Sequence, residues 1–273
     1  MKVLLTNDDG INATGLNVLR EALLEVPGIE LAVIAPDTNR SATARSITFR
    51  DPLWVEEVEF GDGGTGFATD GTPVDCVRFA ALGLLEFDPE LVVSGINHGP
   101  NLGDDITYSG TVAAALEGVV LGLPAIAVSQ QADHGAVDFR EGRRWSREGF
   151  EAAAAFVARM VEELERVQMP EGTLLNVNCP SGEVQGARAC RLGKRVYNDK
   201  MELTEEDSDG RRRFRIYNDT PSFEEEDGTD FAAIGDRRIA VTPLHFDLTD
   251  QAGVEELAGF DLDALVRPAA REV

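Results

Sequence analysis

Residues 1–15 of the chain, MKVLLTNDDGINATG, decide its fold class, because an apolar run there ends abruptly in a polar turn. The VLL run at residues 3–5 is typical of a buried parallel strand, which places NDDG, residues 7–10, at the carboxyl end of that strand. Open α/β sheets bind their ligands in the crevice outside this edge. The segment therefore predicts an α/β fold with a ligand site after its first strand.

Asp8 and Asp9 in this turn allow two interpretations. Adjacent carboxylates repel each other unless a cation lies between them, and a hard divalent metal ion is the simplest candidate. The same residues also fit an ordinary strand-to-helix turn, in which Asp8 or Asp9 is the helix N-cap and Gly10 supplies a positive φ angle. Taken alone, the segment leaves both interpretations open.

Strand and helix patterns alternate through the first 180 residues. Leucines at helical spacing follow the opening turn, and a second apolar strand, IELAVIA, lies at residues 29–35. Further buried strands are predicted at residues 91–94, 125–129 and 174–177. Units of strand, helix and strand build parallel sheets through right-handed crossovers. We therefore predict a Rossmann-like α/β fold, with a mainly parallel sheet flanked by helices.

Beyond residue 180 the pattern changes. Two strand-like runs, residues 184–197 and 211–217, flank an acidic stretch at residues 202–210, and they predict an extended β-hairpin arm with an acidic turn. The arginine run in the second strand is expected to balance the neighbouring acids rather than to bind nucleic acid. We accordingly divide the chain into a catalytic core, residues 1–180, and a region at residues 181–273 with the hairpin arm, a return strand at 239–241 and a short C-terminal helix at 250–259. This second region is expected to mediate oligomerisation and to be continuous with the core.

Composition excludes several classes of partner. The net charge of −24 and the pI near 4.4 disfavour binding to nucleic acid or to an anionic membrane surface. Without an apolar run near the roughly 18 residues that span a bilayer, and without a signal-peptide pattern, a cytoplasmic location is expected. The basic residues comprise 3 lysines and, by difference from 25, 22 arginines. Acidic excess with scarce lysine is typical of proteins adapted to high salt.

Cysteine and histidine do not suggest a metal site. The three cysteines, Cys76, Cys179 and Cys190, are widely spaced and form no CxxC pattern, so we expect free buried thiols. His134 and His245 have no companions at ligand spacing, and both are expected to be structural or solvated. A site for a hard cation must therefore be built from oxygen ligands.

Two further polar loops follow predicted strands. The loop at residues 37–46 contains Ser41, whose hydroxyl suits a hard-metal shell, although an ordinary solvated loop also fits. The loop at residues 94–111, SGINHGPNLGDDITYSGT, is long and rich in small residues, as functional loops usually are. Asn97 in this loop offers a neutral oxygen to a metal ion. His98 beside it is a candidate proton donor or a bystander.

The same long loop ends where a helix begins. Ser109, Gly110 and Thr111 lie at the predicted helix start, where free backbone N–H groups and the helix dipole favour an anion. Ser109 or Thr111 also fits a simple N-cap, and the two roles are compatible. The segment GDGGTG at residues 61–66 matches a dinucleotide motif by letter, but no helix follows it directly, so we predict a hairpin turn.

Taken together and in order, these motifs resemble the SurE family of survival-protein nucleotidases. The resemblance covers nearly the whole chain, and six motifs in family order are far more specific than any one of them. The matching segments are NDDG at 7–10, NRS at 39–41, GTP at 71–73 with DC at 75–76, SGIN at 94–97 with GPNLG at 99–103, YSGTVAA at 108–114, and VTPL at 241–244.

The resemblance implies a phosphoric monoester hydrolase that removes phosphate from nucleoside 5′- and 3′-monophosphates, with a possible exopolyphosphatase side activity. It also implies one divalent metal ion per subunit, Mn²⁺ or Mg²⁺, and a homodimer or homotetramer built through the C-terminal hairpin and helix. By motif match, the metal ligands are Asp8, Asp9, Ser41 and Asn97, and the phosphate contacts are Asn101, Ser109, Gly110 and Thr111. One departure is Ala42, which stands where many members have glycine.

The chemistry of these residues agrees with that expectation. A hard cation in an oxygen shell polarises phosphoryl oxygens and lowers the pKa of a bound water, so we expect in-line attack by water that Asp8 or Asp9 orients. A phosphatase with an aspartyl-phosphate intermediate is a rival, but such enzymes place two aspartates one residue apart rather than adjacent. A nucleotide sensor without turnover is another, although a simple phosphate binder would avoid a carboxylate pair.

The acidic composition predicts that the fold is stabilised by salt. Raising KCl from about 0.1 M to about 1 M shortens the Debye length from about 10 Å to about 3 Å and screens the self-repulsion of the chain. We expect the melting temperature to rise steadily across a KCl series and to change much less in an uncharged osmolyte. Full stability at low salt would contradict the prediction.

Overall fold

The fold is built around one nine-stranded sheet, seen in a computed structural model that describes residues 1–132, 146–167, 170–216 and 222–266. The sheet order is β3-β4-β2-β1-β5-β6-β7-β13-β8. The strands of the described residues are β1 (Lys2–Thr6), β2 (Glu30–Pro36), β3 (Val55–Glu59), β4 (Thr65–Thr69), β5 (Leu91–His98), β6 (Ala125–Gln130), β7 (Thr173–Cys179), β8 (Gly186–Ala189), β9 (Arg195–Val196), β10 (Glu202–Glu206), β11 (Arg212–Arg215), β12 (Ser222–Phe223) and β13 (Arg238–His245).

Helices connect these strands and cover both faces of the sheet. In the described residues they are α1 (Thr14–Leu24), α2 (Pro73–Ala81), α3 (Gly110–Val120), α4 (Glu148–Glu162), α5 (Asp230–Gly235), α6 (Gln251–Ala258) and α7 (Leu262–Val266). Short 3₁₀ turns lie at Gly103–Thr107 and Leu164–Arg166. None of the helices in these ranges is long and apolar enough to cross a membrane.

Strands β4, β2, β1, β5, β6 and β7 run parallel to one another, which confirms the predicted Rossmann-like α/β fold. The chain builds outward from β1 to β2 and β4 on one side, and then from β5 to β7 on the other. The strand order therefore reverses at β1. Ligand crevices of open α/β sheets lie at such a reversal, outside the carboxyl ends of the strands.

Alternate residues of β1 enter two separate cores. Val3 and Leu5 pack in the core that α1 and α4 cover, whereas Leu4 packs in the core beneath α2 and α3. All three side chains are 0% exposed. A strand that is buried on both faces needs an apolar residue at every position, which explains the continuous VLL run.

The C-terminal part of the chain extends this sheet and adds a hairpin. Strand β13 pairs antiparallel with β7 and parallel with β8. The predicted hairpin exists, but its first strand is β10, in the acidic stretch that was predicted to be the turn. Residues 184–197 instead supply β8 to the main sheet and β9 to a small pair with β12. Division of the chain at residue 180 remains a proposal.

Charge pairing explains why an acidic run forms a strand. Arginines of β11 lie opposite glutamates of β10, with nitrogen–oxygen distances of 3.1 Å for Arg212 to Glu206 and 2.8 Å for Arg213 to Glu205. Opposite charges across an antiparallel pair stabilise it by about 0.2–1 kcal/mol each. The arginine run is therefore balanced locally, as predicted.

Several other predictions are confirmed. The GDGGTG segment lies in a hairpin, with residues 60–64 forming the turn between β3 and β4 and residues 65–66 beginning β4; Phe60 N–H donates a hydrogen bond of 2.8 Å to Gly64 O. The three cysteines are free and buried. His245 is exposed and accepts a hydrogen bond from Asp247 N–H at 3.0 Å. His134 and Tyr217, the last residue of the second predicted hairpin strand, lie outside the described residues.

Candidate active site

The turn after β1 is closed by the side chain of Asn7. Its Oδ1 accepts a hydrogen bond from Gly10 N–H at 3.1 Å, and its Nδ2 donates to Gly10 O at 3.0 Å. Gly10 has φ +104°, and a Cβ there would lie 3.2 Å from the backbone of Thr38. Helix α1 starts later, at Thr14, with Ala13 as its N-cap. Gly10 thus has the predicted positive φ, but neither aspartate caps the helix.

Asp8 lies against the N-terminus of α3. Its side chain is buried, and its Oδ1 accepts a hydrogen bond of 2.5 Å from Thr111 Oγ1. A Cβ at Gly110 would lie 2.8 Å from Asp8 Oδ2, so only glycine permits this approach. Burial and the neighbouring charge of Asp9 raise the pKa of Asp8 to about 6, and the hydrogen bond from Thr111 opposes that rise.

Asp9 is held by two other segments. Its Oδ2 accepts a hydrogen bond from the backbone N–H of His98 at 3.0 Å, and its Oδ1 accepts one from Asn39 Nδ2 at 2.8 Å. Burial raises the pKa of Asp9 to about 6, and these two donors act in the opposite direction. Keeping both carboxylates ionised therefore costs free energy, and a bound cation would offset that cost.

The loop after β2 is fastened to this pair through Asn39 and Arg40. The Oδ1 of Asn39 accepts a hydrogen bond from Ser41 N–H at 2.9 Å, while its Nδ2 donates to Asp9. The backbone N–H of Arg40 donates to Asp8 O at 2.7 Å. Asn39 thus links Asp9 directly to the segment that contains Ser41.

Asn97 lies at the end of β5 and is buried. Its Nδ2 donates to Gly99 O at 2.8 Å, which fixes the amide and leaves its oxygen for another partner. The imidazole of His98 packs 5.0 Å from the ring of Phe150, and its Nε2 accepts a hydrogen bond from Gly15 N–H at 3.4 Å. Burial lowers the pKa of His98 to about 4, so its imidazole is neutral near pH 7.

The start of α3 has the predicted cap. Ser109 Oγ accepts a hydrogen bond from Val112 N–H at 3.1 Å and satisfies one of the free helix donors. Thr111 is also tied down, because its hydroxyl donates to Asp8. The start of this helix therefore lies beside Asp8 and the adjacent crevice, where the helix dipole favours negative charge.

A cavity of about 50 Å³ lies between these elements. It brings together Asp8, Ser41, Asn97, Asn101 and Ser109 from the predicted site, with Ala42, His98, Asp105 and Tyr108. Asp9, Gly110 and Thr111 adjoin it through their contacts with Asp8 and His98. Among the described residues no three His, Cys, Asp or Glu side chains form a metal-binding group. A cation bound here would be held by the two carboxylates together with neutral oxygens.

Two supports of the long loop were not found from the sequence. The carboxylate of Asp105 is buried and paired with Arg195, and Tyr197 donates to its Oδ1 at 2.9 Å. Asn176 and Asn178 of β7 bind the backbone of Asn101. A local signal existed for the asparagines, since amides are uncommon in a core strand. The ion pair spans 90 residues of sequence and left no local signal.

Comparison with known proteins gives a consistent result. A family model described as survival protein SurE matches residues 3–199. A protein of Rubrobacter xylanophilus named 5′-nucleotidase SurE is 53% identical over 273 residues, covering 97% of this chain and 99% of the relative. A protein of the same name from Geobacter sulfurreducens is 44% identical over 274 residues, covering 99% and 97%. The crystal structure of SurE protein from Aquifex aeolicus has a TM-score of 0.76 at 36% identity, covering 98% and 100%.

Backbone strain next to Ser41 yields a testable prediction. Ala42 has φ +58°, in the left-handed region, which costs an alanine roughly 1–2 kcal/mol, while glycine's extra chain entropy costs about 0.5–1 kcal/mol. Ala42→Gly is expected to raise the free energy of unfolding by about 0.5 kcal/mol. Ala155→Gly, at an exposed position within α4, should lower it by about 0.5–1 kcal/mol. Urea unfolding measures the free energy of unfolding of both variants. Two changes of the same sign would contradict the inferred backbone strain at Ala42.

Proposed function

The chain belongs to the SurE survival-protein family, and on that premise we propose that it is a divalent-metal-dependent phosphomonoesterase that hydrolyses nucleoside 5′-monophosphates to nucleoside and phosphate. One observation carries most weight. Asp8 and Asp9 are buried side by side at the strand reversal, with the pKa of each raised to about 6. The names of the two bacterial relatives support the choice of a nucleotide as substrate.

Four oxygen-bearing side chains are proposed to hold the metal ion, and they fit a hard cation. Asp8 and Asp9 supply charge, while Ser41 and Asn97 offer a hydroxyl and an amide oxygen. The buried pair needs a positive counter-charge, and the fixed amide of Asn97 has an oxygen to spare. Mn²⁺ or Mg²⁺ bound there supplies Lewis-acid polarisation of a phosphoryl oxygen and favours ionisation of water.

The start of α3 is proposed to bind the phosphate group. The N–H groups of Gly110 and Thr111 belong to the first turn of the helix, where backbone donors and the dipole favour an anion. Ser109 caps the same turn and lines the cavity. Asn101, which also lines the cavity, brings an amide that would donate to a phosphoryl oxygen. These groups would stabilise the charge that develops during transfer.

Asp8 is proposed to orient the attacking water. Its carboxylate lines the cavity, whereas each oxygen of Asp9 already accepts a hydrogen bond from Asn39 or His98. In-line attack forms a bond from the water oxygen to phosphorus and breaks the bond from phosphorus to the nucleoside oxygen, which leaves with a proton. Thr111 fixes the rotamer of Asp8 for this task. The proposal extends to 3′-monophosphates, to a side activity on polyphosphate, and to action in the cytoplasm.

A homo-oligomer is also proposed, and the C-terminal helices support it. Helices α6 and α7 bury no residue in the single chain. Apolar side chains on these helices and between them are exposed, among them Leu257 at 57%, Phe260 at 57% and Leu265 at 71%. Contiguous exposed apolar side chains mark contact surfaces in soluble proteins. We propose that these helices pack against a second copy, in a dimer or a tetramer.

Phosphate release from AMP tests the proposed reaction. We expect turnover with Mn²⁺ and none in excess chelator, with activity restored when Mn²⁺ is returned. Asp8→Asn removes charge from the pair without changing its shape, and should reduce turnover by about 10²–10³-fold. Asp51→Asn removes one charge from an exposed loop and should leave the rate unchanged. Full activity of Asp8→Asn, or equal rates with chelator, would refute the mechanism.

Solution mass tests the proposed oligomer. The single chain has a mass of 29.5 kDa, and light scattering is expected to give twice that value or a higher even multiple. Leu257→Glu places a charge on the exposed apolar face of α6 and should shift the population toward the single chain. Glu255→Gln on the same helix serves as the control and should not. A 29.5 kDa species for the unmodified protein would contradict the proposal.

A further inference from the structure

Strand β7 buries two asparagines on one face. In LLNVNC, residues 174–179, the alternate residues Leu175, Val177 and Cys179 enter the core under α1 and α4. Asn176 and Asn178 point to the other side of the sheet, and both are 0% exposed. Burying an amide costs a few kcal/mol unless it is hydrogen-bonded, and asparagine is depleted in strands. Two such amides in one core strand therefore need a reason.

Their common partner is Asn101. The backbone N–H of Asn101 donates to Asn178 Oδ1 at 2.8 Å, and its carbonyl oxygen accepts from Asn178 Nδ2 at 3.0 Å. The same carbonyl accepts a second hydrogen bond from Asn176 Nδ2, also at 3.0 Å. The backbone of Asn101 is thus held at both its N–H and its carbonyl oxygen by side chains of β7.

Ser129 holds the side chain of the same residue. Its Oγ accepts a hydrogen bond of 2.8 Å from Asn101 Nδ2. Ser129 is the register partner of Asn178 on β7 and of Asn97 on β5, so Asn97, Ser129 and Asn178 form a polar row across three parallel strands. The row begins at a proposed metal ligand and ends at the residue that fixes a proposed phosphate contact.

We propose that Asn176, Asn178 and Ser129 are positioning residues that aim the amide of Asn101 at the substrate phosphate. This assignment rests on the proposed function and names the residues that hold one of its phosphate contacts in place. The amide nitrogen of Asn101 has two hydrogens, of which Ser129 takes one, and the other remains for a phosphoryl oxygen. With the backbone held by Asn176 and Asn178, and the side chain by Ser129, the direction of that second hydrogen is determined.

Neutral amides suit this task better than carboxylates. An amide both donates and accepts, so Asn178 alone satisfies the N–H and the C=O of Asn101. An aspartate at position 178 would lose the donor, face the carbonyl oxygen with like charge, and add a negative charge beside a site that already holds Asp8 and Asp9. The change from asparagine to aspartate preserves size, which makes it the informative substitution.

The test compares Asn178→Asp and the milder Ser129→Ala with the unmodified chain. For AMP turnover with Mn²⁺, we expect Asn178→Asp to raise both KM and the Ki for inorganic phosphate by about tenfold or more. The aspartate loses the hydrogen bond to the carbonyl oxygen of Asn101 and repels that oxygen. Ser129→Ala should raise both by about threefold. For Ser129→Ala, which leaves the charge of the site unchanged, the dissociation constant of Mn²⁺ without phosphate should stay within about twofold, because Ser129 is not a proposed ligand.

Thr242→Val is the matched control. Thr242 is the register partner of Asn176 on β13, is 1% exposed, and its hydroxyl has no hydrogen-bond partner among the described residues. Its replacement removes a buried polar group beside Asn176 without removing any contact to Asn101, so KM and Ki should not change. A rise in KM for this control equal to that of Ser129→Ala would mean that the buried polar residues of these strands affect KM only through general packing. That result would overturn the proposal.

A double-mutant comparison separates positioning from folding. If Ser129 acts through Asn101, Ser129→Ala should have no further effect on phosphate Ki in an Asn101→Ala background, whereas additive effects would refute the assignment.

The outcomes also distinguish the positioning role from the proposed reaction. If the unmodified chain hydrolyses AMP but both test variants retain its KM and Ki, the positioning assignment fails alone. If the unmodified chain binds phosphate without hydrolysis and Asn178→Asp abolishes binding, positioning stands and the proposed reaction fails. Absence of both turnover and phosphate binding in the unmodified chain overturns both.

Discussion

Two carboxylates buried side by side are the constraint on which the rest of the site depends. Asp8 and Asp9 follow a strand that has no exposed face, and burial raises the pKa of each to about 6. Charge in such a place has to be compensated by donors that the strand itself does not have. The donors come from three other parts of the chain: the hydroxyl of Thr111 on α3, the backbone of His98 at the end of β5, and the amide of Asn39 after β2.

The order of strands makes this convergence possible. Strand β1 lies between β2 and β5, so loops from both halves of the sheet reach its carboxyl end. The C-terminal region then supports the longer of those loops. Asp230, whose pKa is raised by burial, accepts hydrogen bonds of 2.8 Å from Gly103 and Gly193, and Arg195 pairs with Asp105. Residues that follow the predicted core thus hold the loop that carries Asn101, and a chain ending near residue 180 would lack these supports.

Much of this arrangement was predictable from local patterns, and the exceptions have physical reasons. Apolar runs located the parallel strands, and the rule that polar loops gather at their carboxyl ends brought Ser41 and Asn97 to the same edge as Asp8. Strand β10 was missed because its strand character comes from charge pairing with β11, not from apolar alternation. The bond from Thr111 to Asp8 joins residues 103 apart in sequence, and no local pattern records a contact of that range.

The central claim is that the buried carboxylate pair is half of a metal shell whose other half comes from Ser41 and Asn97. Anomalous diffraction from crystals of the full chain grown with Mn²⁺ tests it most directly. We predict one strong anomalous peak per chain, within about 2.0–2.6 Å of oxygens from Asp8 and Asp9, with Ser41 and Asn97 completing the shell directly or through water. A peak elsewhere, or none beside the pair at saturating Mn²⁺, would contradict the account.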